Sequence, residues 1–188
     1  MRVVGGRFGG RVLRVPRGRS TRPTSERVRE ALFSILGARV CDARVADVYA
    51  GTGAVGIEAL SRGAKSVDFF ESSGAALQML RSNLSSLDIA REMGRIVKTP
   101  VPRALAGREA WDLIFADPPW GRSLGPPLLR TVQAEGLLRA GGLLILEERH
   151  GEEGTDQDWM ALGATVCDRR RYGDTALVFM EFEGSGSA

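Results

Sequence analysis

The stretch Asp47-Val48-Tyr49-Ala50-Gly51-Thr52-Gly53-Ala54-Val55-Gly56 constrains the fold more than any other part of this 188-residue chain. Residues 45–50 form an apolar run carrying one carboxylate and read as a strand. The run leads straight into glycines spaced G-x-G-x-x-G, then into a helix over 57–61 closed by Gly63. Glycine there frees the backbone to turn tightly and lets a ligand approach the helix N-terminus. A second apolar strand, 67–70, ends in Glu71, twenty positions past Gly51, where an acid holds both ribose hydroxyls of a nucleotide-like cofactor. On these residues alone a dinucleotide dehydrogenase and an S-adenosylmethionine enzyme look alike.

The pattern then alternates. Residues 72–87 place Ala76, Leu77, Leu80 and Leu84 on one helical face, and 95–97 reads as a short strand. Thr99-Pro100-Val101 follows, at the position where a doubly wound fold often contacts adenine. Residues 111–116 form a fourth strand, 128–138 a helix, and Gly141-Gly142 opens a strand over 143–146. Residues 166–167 and 176–182 close the chain as an antiparallel pair around Tyr172-Gly173-Asp174-Thr175. Strands alternating with helices predict an α/β fold with a mostly parallel sheet covered on both faces, binding ligands at the strands' carboxyl ends. Asp47, Gly51, Gly53, Glu71 and Asp117 all fall at such ends.

Asp117-Pro118-Pro119-Trp120 follows the fourth strand directly. Two prolines remove backbone donors and stiffen the loop, and the residue before a proline is held extended. One carboxylate, fixed carbonyl acceptors and one large aromatic face suit a flat ring bearing an exocyclic amine. Asp117 and the Pro118 carbonyl accept its N–H bonds while Trp120 stacks on the ring.

Charge separates the two ends of the chain. Residues 1–40 hold ten arginines against Glu26 and Glu30, whereas residues 41–188 are net acidic, within a total of +3. Seven of those arginines precede Pro23, with no acid among them, which points to a polyanion partner. Arg2-Val3-Val4 and Arg11-Val12-Leu13-Arg14-Val15 read as two short strands around a glycine-rich turn, with Arg17-Gly18-Arg19-Ser20 a loop. Thr24 is the expected N-cap of a helix whose start carries Arg22, Arg27 and Arg29. Arg7, Arg11, Arg14, Arg22 and Arg27 are the candidate RNA contacts. Deleting residues 1–22 is expected to leave the cofactor edge intact.

One domain is expected for this length, with residues 1–22 an arginine-rich hairpin extension, 23–183 the main domain and 184–188 a flexible tail. No apolar run approaches a membrane span. Cys41 and Cys167 lack metal-ligand spacing, so a cytoplasmic protein with no metal and no disulfide is expected, and His150 reads as a surface residue.

The glycine segment together with Asp117-Pro118-Pro119-Trp120 resembles class I methyltransferases acting on exocyclic nitrogens of nucleic-acid bases. A closer resemblance lies in Arg22-Pro23-Thr24-Ser25-Glu26-Arg27-Val28-Arg29-Glu30-Ala31-Leu32-Phe33, Glu58-Ala59-Leu60-Ser61-Arg62-Gly63-Ala64 and Tyr172-Gly173-Asp174-Thr175, which look like the RsmD family of 16S ribosomal RNA guanine-N2 methyltransferases. That resemblance implies a Rossmann-like class I methyltransferase fold with a seven-stranded sheet and a small N-terminal β-hairpin. It implies S-adenosyl-L-methionine as cofactor, with Asp47, Tyr49, Ala50, Gly51, Thr52, Gly53 and Gly56 at the turn, Glu71 and Ser72 at the ribose and Val101 near the adenine. Asp117, Pro118, Pro119 and Trp120 are then the catalytic loop. The implied partner is 16S rRNA, within the small ribosomal subunit or its assembly intermediate, met by a monomer. The family carries Phe or Tyr where Trp120 stands, which asks for a wider pocket, and the 99–101 loop offers no acid or amide to the adenine amino group. Three alternatives remain: an adenine-N6 methyltransferase, a nicotinamide dehydrogenase and a non-catalytic RNA-binding module. The dehydrogenase leaves the Pro-Pro-Trp loop unexplained, and the binding module has no use for a complete cofactor edge.

Overall fold

In a computed structural model that describes residues 1–15 and 24–182, two compact units divide the chain at Pro100 and Val101. The expected loop at 17–20, Arg22 and the tail at 184–188 lie outside the described residues.

The first unit opens with helix α1 (Glu26–Leu36), followed by strand β1 (Arg44–Val48), helix α2 (Ala54–Ser61), strand β2 (Ser66–Phe70), helix α3 (Gly74–Ser86) and strand β3 (Gly94–Val97). β2 pairs in parallel with both β1 and β3, in the order β3-β2-β1. Val45, Ala46, Val48, Val67, Phe69 and Phe70 are buried, as strands covered on both faces require. All eight residues of α2 are buried, so it begins three residues earlier than the apolar spacing suggested: a helix apolar all round offers no stripe from which to place its ends. The cap of α1 is Ser25, whose hydroxyl accepts the Val28 N–H at 3.2 Å, and not the expected Thr24, which is buried.

Residues 1–13 fold back on themselves. Val3 N–H donates to the Arg11 carbonyl at 3.0 Å, Gly10 N–H to Val3 at 2.9 Å and Leu13 N–H to Met1 at 2.8 Å. Ladder pairing reduces to the single Arg2–Val12 bridge, so the two expected strands are one bridge with a 3-10 turn over Gly6–Phe8 between them. Val3 and Leu13 are 1% exposed, which makes this segment part of the core of the first unit.

What anchors it is Glu58, a carboxylate at 0% exposure inside the apolar helix α2. Its Oε2 accepts the Val4 N–H at 2.7 Å and Arg29 Nη1 at 3.1 Å; its Oε1 accepts the Gly5 N–H at 2.8 Å and Arg62 Nε at 2.9 Å. Arg29 Nη2 donates in turn to the Arg2 carbonyl at 2.7 Å. Ser61 bonds both Phe8 N–H and the Gly5 carbonyl, and Gly6 has φ of 74°, where any Cβ would lie 1.9 Å from the Ser61 carbonyl oxygen. Only glycine fits there.

The second unit holds strand β4 (Trp111–Ala116), helix α4 (Gly125–Ala134), strand β5 (Leu138–Arg149), helix α5 (Asp156–Met160), strand β6 (Ala164–Tyr172) and strand β7 (Thr175–Phe182). Its order is β4-β5-β7-β6, with β4 parallel to β5 and the β5–β7 and β6–β7 pairs antiparallel. Tyr172 pairs with Thr175 across the two-residue Gly173-Asp174 turn, as the sequence suggested. Helix α4 starts and stops earlier than expected, because Gly136, with φ of 59°, ends it and Leu138 already belongs to β5. α5 was not foreseen: five residues are too few to show a period, although its Thr155/Asp158 capping box is a local signal. The seven strands make the mostly parallel sheet of a Rossmann-like α/β fold. Among the described residues no helix is long and apolar enough to cross a membrane, and no three His, Cys, Asp or Glu side chains group so as to hold a metal.

Candidate active site

Strand β1 carries Asp47 beneath the glycine turn, 2% exposed, where its Oδ2 accepts the Gly56 N–H at 2.8 Å. Burial pushes this carboxyl up to about 7 against the opposing pull of the Gly56 N–H, and the charge of Glu71 adds to the rise. Asp47 thus pins the N-terminus of α2 from below. Tyr49 is half-buried with φ of 64°, and burial raises its phenol. Ala50 N–H donates to the Phe70 carbonyl at 3.0 Å, carrying the β1–β2 ladder to the lip of the turn.

The glycines divide into two kinds. A Cβ at Gly53 would lie 2.4 Å from Leu80 Cδ1, and one at Gly56 2.3 Å from Phe69 Cε1, so these two exist for close packing. Gly51 has φ of 55°, and a Cβ there would meet nothing within 4 Å, so its side faces open space. Glu71, at the end of β2, accepts the Gly51 N–H on Oε2 at 2.8 Å and the Ser72 and Ser73 N–H groups on Oε1 at 2.7 Å each. With one bond on Oε2, the carboxylate keeps acceptor capacity for a hydroxyl. Thr52 is buried, and its carbonyl accepts Asn83 Nδ2 at 3.0 Å. Together, an anchored acid with a spare lone pair, an open glycine and a helix N-terminus fit a ribose-bearing cofactor.

In the second unit Asp117 follows the last residue of β4 and is half-buried, with Pro118 buried, Pro119 exposed and Trp120 half-buried. Pro118, Pro119 and Trp120 line a cavity of about 710 Å³, within the ~300–1,000 Å³ of small-molecule sites. Glu148 at the end of β5 and Trp159 of α5 line it as well. Burial pushes the Glu148 carboxyl up to about 7, opposed by a hydrogen bond from the Gly154 backbone. Sequence reasoning missed both residues; a carboxylate at the carboxyl end of a strand was the available signal for Glu148, whereas nothing local marked Trp159. Val101 is half-buried at the start of this unit.

Arg7, Arg11, Arg14 and Arg27 are exposed, as a phosphate-contacting role requires, and Arg22 lies outside the described residues. The Arg7 guanidinium sits 4.4 Å from the Phe8 ring centroid, and Arg11 Nη2 donates to the Ser86 carbonyl at 3.1 Å. Arg29 is a correction: grouped by sequence with the cations at the helix start, it is fully buried on Glu58 and unavailable to a phosphate.

Three comparisons bear on this arrangement. The family model described as "Conserved hypothetical protein 95" matches residues 1–181. Ribosomal RNA small subunit methyltransferase D of Escherichia coli K12 is 36% identical over 148 residues, covering 78% of this chain and 74% of that protein. The YlbH protein of Bacillus subtilis is 35% identical over 189 residues, covering 98% of this chain and all of its own. Among solved structures, a hypothetical protein of Thermus thermophilus superposes with a TM-score of 0.79 at 33% identity, over 96% of this chain and 99% of that one.

Proposed function

The chain belongs to the Conserved hypothetical protein 95 family, and we propose that it is an S-adenosylmethionine-dependent methyltransferase acting on the exocyclic N2 of a guanine in 16S ribosomal RNA. The observation that carries the reading is the Asp117-Pro118-Pro119-Trp120 loop at the carboxyl end of β4, whose Pro118, Pro119 and Trp120 line a cavity of nucleoside size. S-adenosylmethionine supplies an electrophilic methyl group when bound. The residues of the first unit that fit it are Glu71 for the ribose, the open backbone of Gly51 and the N-terminus of α2.

The chemical demand on the loop follows from the amine. Guanine N2 is a poor nucleophile because its lone pair is conjugated with the ring. Acceptors at Asp117 and the Pro118 carbonyl favour a pyramidal nitrogen and stabilise the positive charge that develops on it. Trp120 stacks on the ring and fixes its plane, so the loop's main contributions are positioning and exclusion of water. The base leaves its stack to enter, at a cost of a few kcal/mol that falls when it starts in a loop. Exposed Arg7, Arg11, Arg14 and Arg27 hold RNA phosphates, and a monomer working on the small subunit or its precursor in the cytoplasm completes the reading.

Mass spectrometry of nucleosides from small-subunit RNA, with and without the gene, tests the product. Loss of N2-methylguanosine is the expected result; loss of N6-methyladenosine instead would move the assignment to an adenine enzyme. Asp117→Ala should lower kcat about 10-fold or more while cofactor Kd stays put, since the group acts in the transition state. Unchanged turnover at saturating RNA would remove Asp117 from this role.

A further inference from the structure

Among the described residues, five charged side chains line the cavity beside Pro118, Pro119 and Trp120: Arg130, Glu148, Arg149, Glu152 and Asp158. Four of them are held by neighbours. Arg149 Nη1 donates to Glu152 Oε1 at 3.0 Å, so these two charges offset each other. Asp158 Oδ2 accepts the Thr155 N–H at 2.8 Å and the Thr155 hydroxyl at 2.7 Å, closing the cap of α5. Glu148 is half-buried and accepts the Gly154 backbone N–H. Arg130 alone has no hydrogen bond or ion pair to a described residue, and it is exposed.

The amphipathic pattern of α4 places it there. Leu128, Leu129 and Val132 are at most 1% exposed and form the packed side of the helix. Pro126 and Arg130, four residues apart, share another side, and both line the cavity. We propose that Arg130 holds a backbone phosphate beside the target nucleotide and so sets the base in register against the Pro118-Pro119-Trp120 loop, a role that rests on the RNA methyltransferase reading above and adds a substrate-positioning contact to it.

A base drawn out of its stack stays covalently tied to the phosphates on either side. Those charges keep to the wet mouth of a cavity, because losing their water is far costlier than burying the ring. A guanidinium meets a phosphate there with two parallel N–H bonds from its planar fork. On this wall only Arg130 has donors that no neighbour uses. Glu152 and Asp158 repel a phosphate that strays from that cation, so their charge narrows where the phosphate can sit. Such a contact fixes register without reading sequence.

The test uses small ribosomal subunits from cells lacking the gene, with the wild-type enzyme beside Arg130→Gln, Arg130→Lys and Arg149→Gln. Arg130→Gln should raise KM about 10-fold or more with kcat little changed, the scale of one charge-assisted hydrogen bond made equally in the ground and transition states. Its slope of log kcat/KM against log salt should be shallower by about 0.7–0.9, one phosphate contact. Arg130→Lys keeps the charge, so it should keep the wild-type slope and recover most of the KM. Arg149→Gln should leave the slope unchanged, because Glu152 already offsets that charge. Tm and the S-adenosylmethionine Kd should stay at wild-type values in Arg130→Gln; a fall in both would make Arg130 a structural residue and overturn the proposal. Wild-type KM and slope in Arg130→Gln overturn it as well. So does an equal loss of slope in Arg130→Lys or Arg149→Gln, since the effect would then not be one cation on one phosphate. A wild-type enzyme that forms no N2-methylguanosine on these subunits refutes the methyltransferase reading instead, a failure distinct from all of these.

Discussion

Glu58→Gln is the sharpest perturbation of this molecule, because it changes one charge at a site with 0% exposure. The wild-type carboxylate accepts four hydrogen bonds, two on each oxygen, and on each oxygen one comes from a backbone N–H and one from a guanidinium. A glutamine offers one oxygen and one NH₂ group. Whichever way it sits, the NH₂ faces two donors, and Arg29 is left buried without its counter-charge. Burial already lowers the pKa of that guanidinium, and Glu58 is the largest influence opposing the drop. Removing one partner of a buried ion pair costs about 3–5 kcal/mol. For a chain of this size each kcal/mol moves Tm by about 2–4 °C, so thermal melting followed by circular dichroism should show a fall of about 6–20 °C. The control is Glu152→Gln, which breaks the exposed Arg149–Glu152 pair, worth about 0–1 kcal/mol. A Glu58→Gln protein melting within about 2 °C of the wild type would refute the claim that this buried carboxylate ties the first residues of the chain to α2.

Two further expectations follow from the cofactor edge. Asp47 has a folded pKa of about 7 against ~3.9 for a free aspartate, so the native state holds the extra proton between those values and stability falls as pH rises across that window. Asp47→Asn keeps an acceptor for Gly56 and should flatten part of the Tm profile across that same window, the remainder belonging to Glu148; an unchanged slope would mean Asp47 is not the titrating group. Glu71→Ala should weaken S-adenosylmethionine by about 1.5–3 kcal/mol in calorimetry, the scale of a charge-assisted hydrogen bond, and tight NAD binding by the wild type would reverse the choice of cofactor.

The glycine turn was legible in the sequence because its demands are local. Gly53 and Gly56 leave no room for a Cβ, which would lie 2.4 Å and 2.3 Å from neighbouring side-chain atoms, and Glu71 bonds Gly51 across a single strand–helix–strand step. The Asp117-Pro118-Pro119-Trp120 loop was legible for a similar reason, since proline stiffens its own neighbourhood. What stayed hidden depends on partners far apart in sequence. Glu58 meets Val4 and Gly5 more than fifty residues away, and Asn83 meets Arg14 from 69 residues away. An acid in the run Ala54–Ser61 and an amide beside Leu84 signal only that something polar must be satisfied, not by whom. Likewise Thr24 and Ser25 are both good cap residues, and choosing between them needs the backbone.

That hidden connectivity changes what a deletion of the arginine-rich start can reveal. Read from charge alone, residues 1–22 are a detachable clamp. In the folded chain Asn83 Oδ1 accepts the Arg14 N–H at 2.8 Å, and its Nδ2 donates to both the Arg14 and Thr52 carbonyls at 3.0 Å. One buried carboxamide therefore joins the start of the chain to the glycine turn. Deleting residues 1–15 strips Asn83 of two of these three bonds and Glu58 of two of its four donors, each orphaned group costing about 1–3 kcal/mol. Such a truncation should melt lower and bind S-adenosylmethionine more weakly, quite apart from any loss of RNA affinity. Single changes at Arg7, Arg11 and Arg14 separate the two effects, because they remove exposed cations, at Arg11 with one exposed bond to the Ser86 carbonyl, and keep the backbone bonds to Asn83 and Glu58. Each should make the slope of log affinity against log salt shallower by about 0.7–0.9, equally for all RNA sequences, at unchanged Tm and cofactor Kd. A truncated protein that melts like the full chain and binds cofactor as tightly would show the start to be the appendage its charge pattern suggests.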